Sequence, residues 1–190
     1  AGSVYGLFHM WHVARSEPTL AADADAYLEA GLRALDRVYR NLGPCPGVAQ
    51  AEGCITFLEG KRSEKTNSGS PSLTLLALLE RPRPDEVEDP ALRARMQRDD
   101  DEATLLGLAR ALVRMIDGDG KVYALWSEAL LGGGVKREPV YYPGEMMLAL
   151  ALLGERTGDA RWLDAAKAIG RRQIAHARKP WIVPDHWVMQ

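Results

Sequence analysis

The 190-residue chain is poor in the features that mark several specialised classes of protein. It has only two cysteines, two phenylalanines and four histidines. No apolar run approaches the ~20 residues needed to span a bilayer. The formal charge of −2 gives no electrostatic basis for a nucleic-acid partner or an acidic membrane surface. The sequence also lacks a P-loop, a dinucleotide fingerprint, a nucleophile elbow and an HExxH motif, so neither a cofactor nor a metal is predicted.

The two cysteines, Cys45 and Cys54, lie in a loop rich in glycine and proline. They form a local disulfide if the protein is exported, and two unpaired thiols otherwise. The sequence does not decide between these states, and it leaves open a cytoplasmic, periplasmic or secreted location. Two cysteines without a nearby histidine do not predict a zinc site.

Strand-forming residues are sparse, whereas Ala, Leu, Arg and Glu dominate, which favours helices. Six helices are predicted, near residues 3–15, 20–42, 70–79, 101–116, 143–153 and 159–177. The first, third and fifth are apolar around the whole circumference, whereas the others carry one apolar stripe. A helix that is apolar on all sides must be buried, and a striped helix covers something. The alternation therefore predicts an inner and an outer helical layer.

The predicted connections have distinct compositions. Residues 43–69 are interpreted as irregular, 81–90 as a stiff charged connector, and 131–139 as a flexible loop. Ser70 is the predicted cap of the third helix. The DGDG segment at 117–120 is interpreted as a helix stop, because it lacks the later ligands of a calcium loop. His9 and His12 share one helix face without an acidic partner nearby in sequence, so no metal site is predicted there.

Two of the striped helices echo each other. DADAYLEAGLRAL (23–35) and GDARWLDAAKAIG (158–170) share an aromatic residue, leucine, an acid, alanine and a small residue at corresponding points. Repeated helical hairpins that cannot bury their apolar faces alone are typical of solenoids and closed toroids.

The segment YYPGEMMLALALLGERTGDARWLDAAKAIGRRQI (141–174) resembles a hairpin of the α/α-toroid proteins of the six-hairpin glycosidase type. DGDGKVYALW resembles the segment that follows an outer helix there, and the C-terminal PDHW resembles the entry to the next inner helix. The similarity is strongest over residues 101–187. It implies an all-α barrel whose central funnel binds sugars, as in glycoside hydrolases, polysaccharide lyases and sugar epimerases.

Length separates this chain from a complete ring of that type. Residues 1–190 form one predicted α/α-hairpin domain with about three hairpins, which is half of a six-hairpin toroid. We therefore expect the domain to belong to a longer chain or to pair with another copy as a homo-oligomer, because a half-ring would expose the apolar inner helices.

In such a ring, the inner helices run in the same direction and their N-termini meet at one end of the funnel. Polar and aromatic residues precede or begin each predicted inner helix, and they supply the candidate site. The candidate catalytic residues are Glu145, Asp185 and His186, and the candidate substrate-binding residues are Tyr141, Tyr142, Trp187, Arg62, Lys65 and Asn67. Aromatic faces beside carboxylates, amides and cations suit a sugar ring, whose C–H face stacks and whose hydroxyls form hydrogen bonds.

Two kinds of chemistry fit these residues. Glu145 and Asp185 match the two carboxylates of a glycosidase. A lyase or epimerase needs a tyrosine or histidine base and a cation, for which Tyr141, Tyr142, His186 and Arg62 are candidates.

Each candidate also has a structural interpretation. Glu145 fits a helix start, the tyrosines fit half-buried packing, Asp185 and His186 fit a cap and a surface histidine, and residues 61–65 fit a solvated loop. The predicted function is a carbohydrate-active or carbohydrate-binding protein that takes a polymeric or bacterial glycan. The alternative is a non-catalytic helical-repeat scaffold that binds a protein or peptide.

Overall fold

The computed structural model describes residues 1–58, 65–96, 101–127 and 141–177, and this part of the chain is predominantly α-helical. The α-helices are α1 (Gly2–Ser16), α2 (Ala24–Tyr39), α3 (Gly69–Glu80), α4 (Pro90–Met96), α5 (Asp101–Arg114), α6 (Tyr142–Thr157) and α7 (Ala160–Ala177). The short strands are β1 (Leu42–Pro44), β2 (Ile55–Phe57), β3 (Lys65–Asn67) and β4 (Leu125–Ser127). The all-α class predicted from composition is confirmed.

The helices pack as three pairs, α1 with α2, α3 with α5, and α6 with α7. Within this arrangement α3 lies between α1 and α6, so these three helices form an inner row. The remaining members of the three pairs, α2, α5 and α7, form the outer layer. They have the stronger amphipathic patterns, with charged residues opposite the apolar stripe. The predicted inner and outer roles of the six helices are therefore visible in how the helices pack.

The three inner helices run in the same direction. Gly2 at the start of α1 lies against Leu73 in the first turns of α3, and Gly69 at the start of α3 lies against the ring of Tyr142 at the start of α6. At the opposite end, Leu78 of α3 and Leu153 of α6 line one cavity. The N-termini of the row therefore collect at one end of the molecule.

The core is densest around α3. Leu75, Leu76 and Leu78 are almost fully buried, together with Met146 and Leu150 of α6. At about 25 cal/mol per Å² of apolar surface removed from water, burial of each such side chain contributes roughly 1.5–3 kcal/mol. This packing holds the start of α6 on a rigid support.

The prediction that every inner helix is buried on all sides is wrong for α1 and α6, and Leu73 and Leu79 of α3 are also only half-buried. Gly6, Met10 and Val13 of α1 are only half-buried, and so are Leu148 and Leu152 of α6. Within the described residues, the inner row consists of α1, α3 and α6 and ends at α1 on one side and at α6 on the other. We give the name open face to six partly or fully exposed side chains of this row, which are Tyr5, His9, Leu73, Glu80, Leu148 and Leu152.

The prediction that residues 43–69 are irregular is also wrong. β1 pairs with β2 in an antiparallel hairpin, and β3 pairs with β4. Cys45 and Cys54 form a disulfide with their Cα atoms 5.4 Å apart, and the N–H of Cys45 donates to the carbonyl of Cys54. Strands of three residues are too short to show the alternation that identifies a strand in sequence.

Residues 81–90 are not simply a stiff connector. Pro84–Glu86 forms a 3₁₀ turn, and Pro90 begins the additional helix α4. The carboxylate of Asp89 accepts hydrogen bonds from the backbone N–H groups of Ala91 at 2.7 Å and Leu92 at 3.3 Å, which caps this helix. An acidic cap followed by proline is typical of a helix start. The neighbouring prolines and charged residues hid this signal in the sequence.

The DGDG segment is confirmed as a helix stop. α5 ends at Arg114, and Asp117 Oδ1 then accepts hydrogen bonds from the N–H groups of Asp119 at 3.0 Å and Lys121 at 2.9 Å. Gly120 completes the turn with a φ of 79° and lies against the backbone of Ala168 in α7. The turn therefore joins two outer helices.

No helix in the four described ranges is both long enough and apolar enough to cross a membrane.

Candidate functional site

The starts of α3 and α6 lie in direct contact at the N-terminal end of the inner row. The ring of Tyr142 packs over Gly69 so closely that a Cβ atom at position 69 would overlap it. The strand pair β3–β4 adjoins this point, because the N–H of Ser68 donates to the carbonyl of Ala124 at 3.1 Å. Tyr142 thus has the packing role that was one of its two interpretations.

Glu145 lies in the first turn of α6 and is only 7% exposed. Among the described residues it is the one acidic or basic side chain that reaches full burial. Burying a carboxylate is costly unless neighbouring groups stabilise it. The exposed backbone N–H groups and positive dipole end of α6 supply part of that stabilisation. A buried carboxyl group at a helix start is a candidate for hydrogen bonding or proton transfer to a ligand.

Tyr141 precedes α6 and is 51% exposed, in contrast to its neighbour Tyr142. The backbone carbonyl of Tyr141 accepts a long hydrogen bond from the N–H of Glu145 at 3.4 Å. A spacing of four residues places the two side chains on the same side of the helix start. An exposed aromatic ring therefore lies directly before a buried carboxyl group.

Asn67 caps α3. Its Oδ1 accepts a hydrogen bond from the N–H of Ser70 at 2.7 Å. The prediction that Ser70 caps this helix is therefore wrong, because α3 already begins at Gly69 and Ser70 lies inside its first turn. Thr66, in the same polar run, is fully buried, and its hydroxyl donates to the carbonyl of Phe57 at 2.8 Å.

Ser68 is a polar residue of this region that sequence reasoning missed. Its hydroxyl is buried and forms no hydrogen bond with any part of the chain that the structure describes. Its carbonyl, in contrast, accepts a hydrogen bond from the Ser72 hydroxyl at 2.7 Å. Buried hydroxyls nearly always have a partner, so Ser68 adds a donor and acceptor near the N-terminal end. A serine before a helix is too common to signal this in sequence.

Four predicted site residues, Arg62, Asp185, His186 and Trp187, lie outside the described residues. Lys65 begins β3, but its side chain is outside the described part as well. The structure thus brings together Tyr141, Tyr142, Glu145 and Asn67, and the pairing of Glu145 with Asp185 stays a prediction.

The opposite end of the inner row holds a cavity of about 680 Å³ that no sequence motif indicated. It is lined by Leu78, Arg81, Asp101, Glu102, Leu105, Leu106, Leu153, Arg156 and Thr157. Asp101 accepts hydrogen bonds from Arg81 and from the hydroxyl of Tyr39. This network joins α2, α3 and α5, so its first role is to hold the helical layers together.

The described residues contain no group of three or more His, Cys, Asp or Glu side chains arranged to hold a metal ion. At the N-terminal end, the structure places Glu145, the Ser68 hydroxyl and the backbone N–H groups of the helix starts. These groups suit hydrogen bonding to hydroxyls and transfer of a proton.

Comparison of the chain with protein-family models, with curated proteins and with solved structures gave no match. The functional argument accordingly rests on the chain's own residues.

Proposed function

We propose that this chain is a carbohydrate-active protein of the α/α-toroid type that binds a polymeric or bacterial glycan at the N-terminal end of the inner helix row. The observation that carries the proposal is the buried carboxyl group of Glu145 in the first turn of α6, four residues after the exposed Tyr141.

The complementarity to a sugar is physical. A pyranose ring offers an apolar C–H face, which stacks on an aromatic ring, and hydroxyl groups at its edge. Tyr141 supplies the ring, and Glu145 supplies an acceptor for hydroxyl protons. The first turn of α6 holds both groups, and the buried residues Met146 and Leu150 fix that turn in the core. Preorganised groups on a rigid element bind with little loss of side-chain entropy.

In a hydrolase, Glu145 is the proton-transferring carboxyl group and Asp185 is its partner across the scissile bond. A separation near 5–5.5 Å gives retention and one of 6.5–9.5 Å gives inversion. In a lyase or epimerase, His186 or a tyrosine takes the proton and Arg62 neutralises a uronate. All three reactions require the substrate at the same end of the helix row.

The disulfide adds support from the cellular environment. Disulfides persist mainly in oxidising compartments, and both Cys45 and Cys54 are buried rather than displayed for redox exchange. An exported protein would meet polymeric glycans outside the cytoplasm.

Glu145→Gln tests the role of the carboxyl group. We expect the affinity for a bound glycan to fall at least about tenfold, which corresponds to about 1.4 kcal/mol, because the amide replaces a charged acceptor with a neutral one. The melting temperature should change little, since glutamine keeps the shape of the side chain. Isothermal titration and thermal unfolding measure the two effects. Glu155→Gln, an exposed site on the same helix, is the matched control and should change neither.

A purely structural Glu145 predicts the reverse pattern. Loss of the charge at the helix start would then cost on the order of 0.3–1 kcal/mol of stability and leave glycan binding intact. Tyr141→Ala separates the cases further, because an exposed ring contributes little to folding. If both variants bind glycan as the wild type does, the N-terminal end is not the binding site.

A further inference from the structure

A second group of ionisable residues lies on the open face, between α1 and α3. Nδ1 of His9 is 2.8 Å from Glu80 Oε1, and Nε2 of His12 is 2.9 Å from the backbone carbonyl of Glu80. The ring of Tyr5 stacks on that of His9, with centroids 6.1 Å apart and planes 18° apart. Glu80 is thus held by one histidine and orients the other.

The carboxylate determines which nitrogen of His9 carries the proton. A carboxylate only accepts hydrogen bonds, so Nδ1 of His9 is the donor. The neutral ring then has its lone pair on Nε2. Nε2 forms no hydrogen bond with the residues that the structure describes, and the His9 side chain is 55% exposed. The lone pair is therefore available to a molecule arriving at the open face.

Three further titratable side chains, those of Tyr5, His12 and Glu86, belong to this region. Burial, followed by the charge of Glu80, raises the pKa of Tyr5, so its phenol stays protonated at neutral pH. His12 is occupied by the Glu80 carbonyl, and Glu86 of the following turn is close to His12. Of these groups, Glu80 and Tyr5 contact His9 directly.

This group is separate from the Glu145 site. α1 and α6 flank α3 on opposite sides, and packed helices lie 8–10 Å apart, so the axes of α1 and α6 are roughly 15–20 Å apart. The two carboxyl groups of a glycosidase lie within about 9.5 Å of each other. Glu80 is the last residue of α3, eleven residues from Gly69, where α3 meets the start of α6, which is a rise of about 16 Å. The pair of His9 and Glu80 is therefore a site distinct from Glu145.

We propose that His9, oriented by Glu80, is a general base that activates water for the hydrolysis of carboxylic esters at the open face. Nε2 removes a proton from water as the water oxygen attacks the acyl carbon. The bond from that carbon to the alkoxy oxygen then breaks, and the leaving alkoxide takes the proton back from Nε2. One water and one ester give one acid and one alcohol. His9 is the catalytic residue and Glu80 is a positioning residue.

The ester class follows from what the group contains. Cleavage of a glycosidic bond needs a separate acid beside the leaving oxygen. Hydrolysis of an ester needs only the proton that His9 has taken from water to protonate the leaving alkoxide. An oriented imidazole typically accelerates such proton transfers by 10²–10⁴-fold. The proposal stands whether or not a glycan binds near Glu145.

Hydrolysis of p-nitrophenyl acetate by the purified chain is the test. We expect His9→Gln to lower the protein-dependent rate at least tenfold. His176→Gln changes a histidine at the end of α7 whose Nδ1 lies 3.1 Å from the carbonyl of Arg172, and its rate should stay within twofold of the wild type. Equal rates for the wild type and His9→Gln, or no protein-dependent hydrolysis, would refute the proposal.

A measurement on the wild type does not depend on the folding of any variant. Nitrogen-15 NMR of the imidazole ring should show that the neutral form of His9 carries its proton on Nδ1 and not on Nε2. In Glu80→Gln the amide oxygen still accepts from Nδ1, so this tautomer should persist, whereas in Glu80→Leu it should be lost together with the hydrolysis. A wild-type His9 protonated at Nε2 alone would overturn the assignment.

Discussion

Gly120→Ala is expected to destabilise the protein by at least about 3 kcal/mol, the largest effect of any single substitution considered. Gly120 has a φ of 79°, a region that costs a non-glycine residue of order 1–3 kcal/mol. A Cβ atom there would also overlap the backbone carbonyl of Ala168 in α7. Backbone cannot rotate away as a flexible side chain can, so the turn and α7 must separate. Thermal unfolding should show a melting temperature lower by about 6–12 °C.

Two other glycines separate the causes of this effect. Gly118 lies in the same turn with open space around it, and Gly158 has a φ of 69° with open space. We expect Gly118→Ala to be nearly neutral and Gly158→Ala to cost about 1–2 kcal/mol from its backbone conformation alone. If all three variants have the same melting temperature, the turn at 117–120 does not pack against α7 as described.

Removal of the disulfide is the second large effect. The bond links residues nine positions apart, and closing a loop of that size stabilises a protein by about 2–3 kcal/mol through the unfolded state. The loop also packs on α5, because the guanidinium of Arg110 donates to the carbonyl of Gly53 at 3.2 Å. The Cys45→Ala/Cys54→Ala double variant should therefore lose about 2–3 kcal/mol of unfolding free energy in urea.

Reduction supplies the matching control. Dithiothreitol should lower the unfolding free energy of the wild type by a similar amount and leave the double variant unchanged. If mass spectrometry shows that the wild type is fully reduced and its unfolding free energy is nevertheless unchanged, a stabilising role for the bond is contradicted.

The helices could be predicted from sequence because their signals are local and periodic. Pro143 and the apolar run after it mark the start and the buried face of α6, which the structure confirms. Glycine at position 158 marks its end, where the residue adopts a left-handed conformation. The layering followed from comparing apolar patterns between helices, which requires no knowledge of contacts.

Some of the elements that were missed depend on distant parts of the chain. β3 pairs with β4 across about 60 residues, and strands of three residues carry almost no pattern of their own. The same limit applies to the sites. Tyr141 and Glu145 are marked by a local helix start, whereas His9 acquires its carboxylate partner from Glu80, 71 residues away. No spacing rule in the sequence connects those two residues.

A glycan array probed with the wild-type chain, with Tyr141→Ala beside it, tests the central claim most directly. The account predicts that the wild type binds a subset of neutral or uronic-acid glycans, and that removal of the exposed Tyr141 ring abolishes that binding without unfolding the protein. The contradicting result is a folded wild type that binds neither class of glycan but captures a defined peptide ligand, which would favour a helical-repeat scaffold.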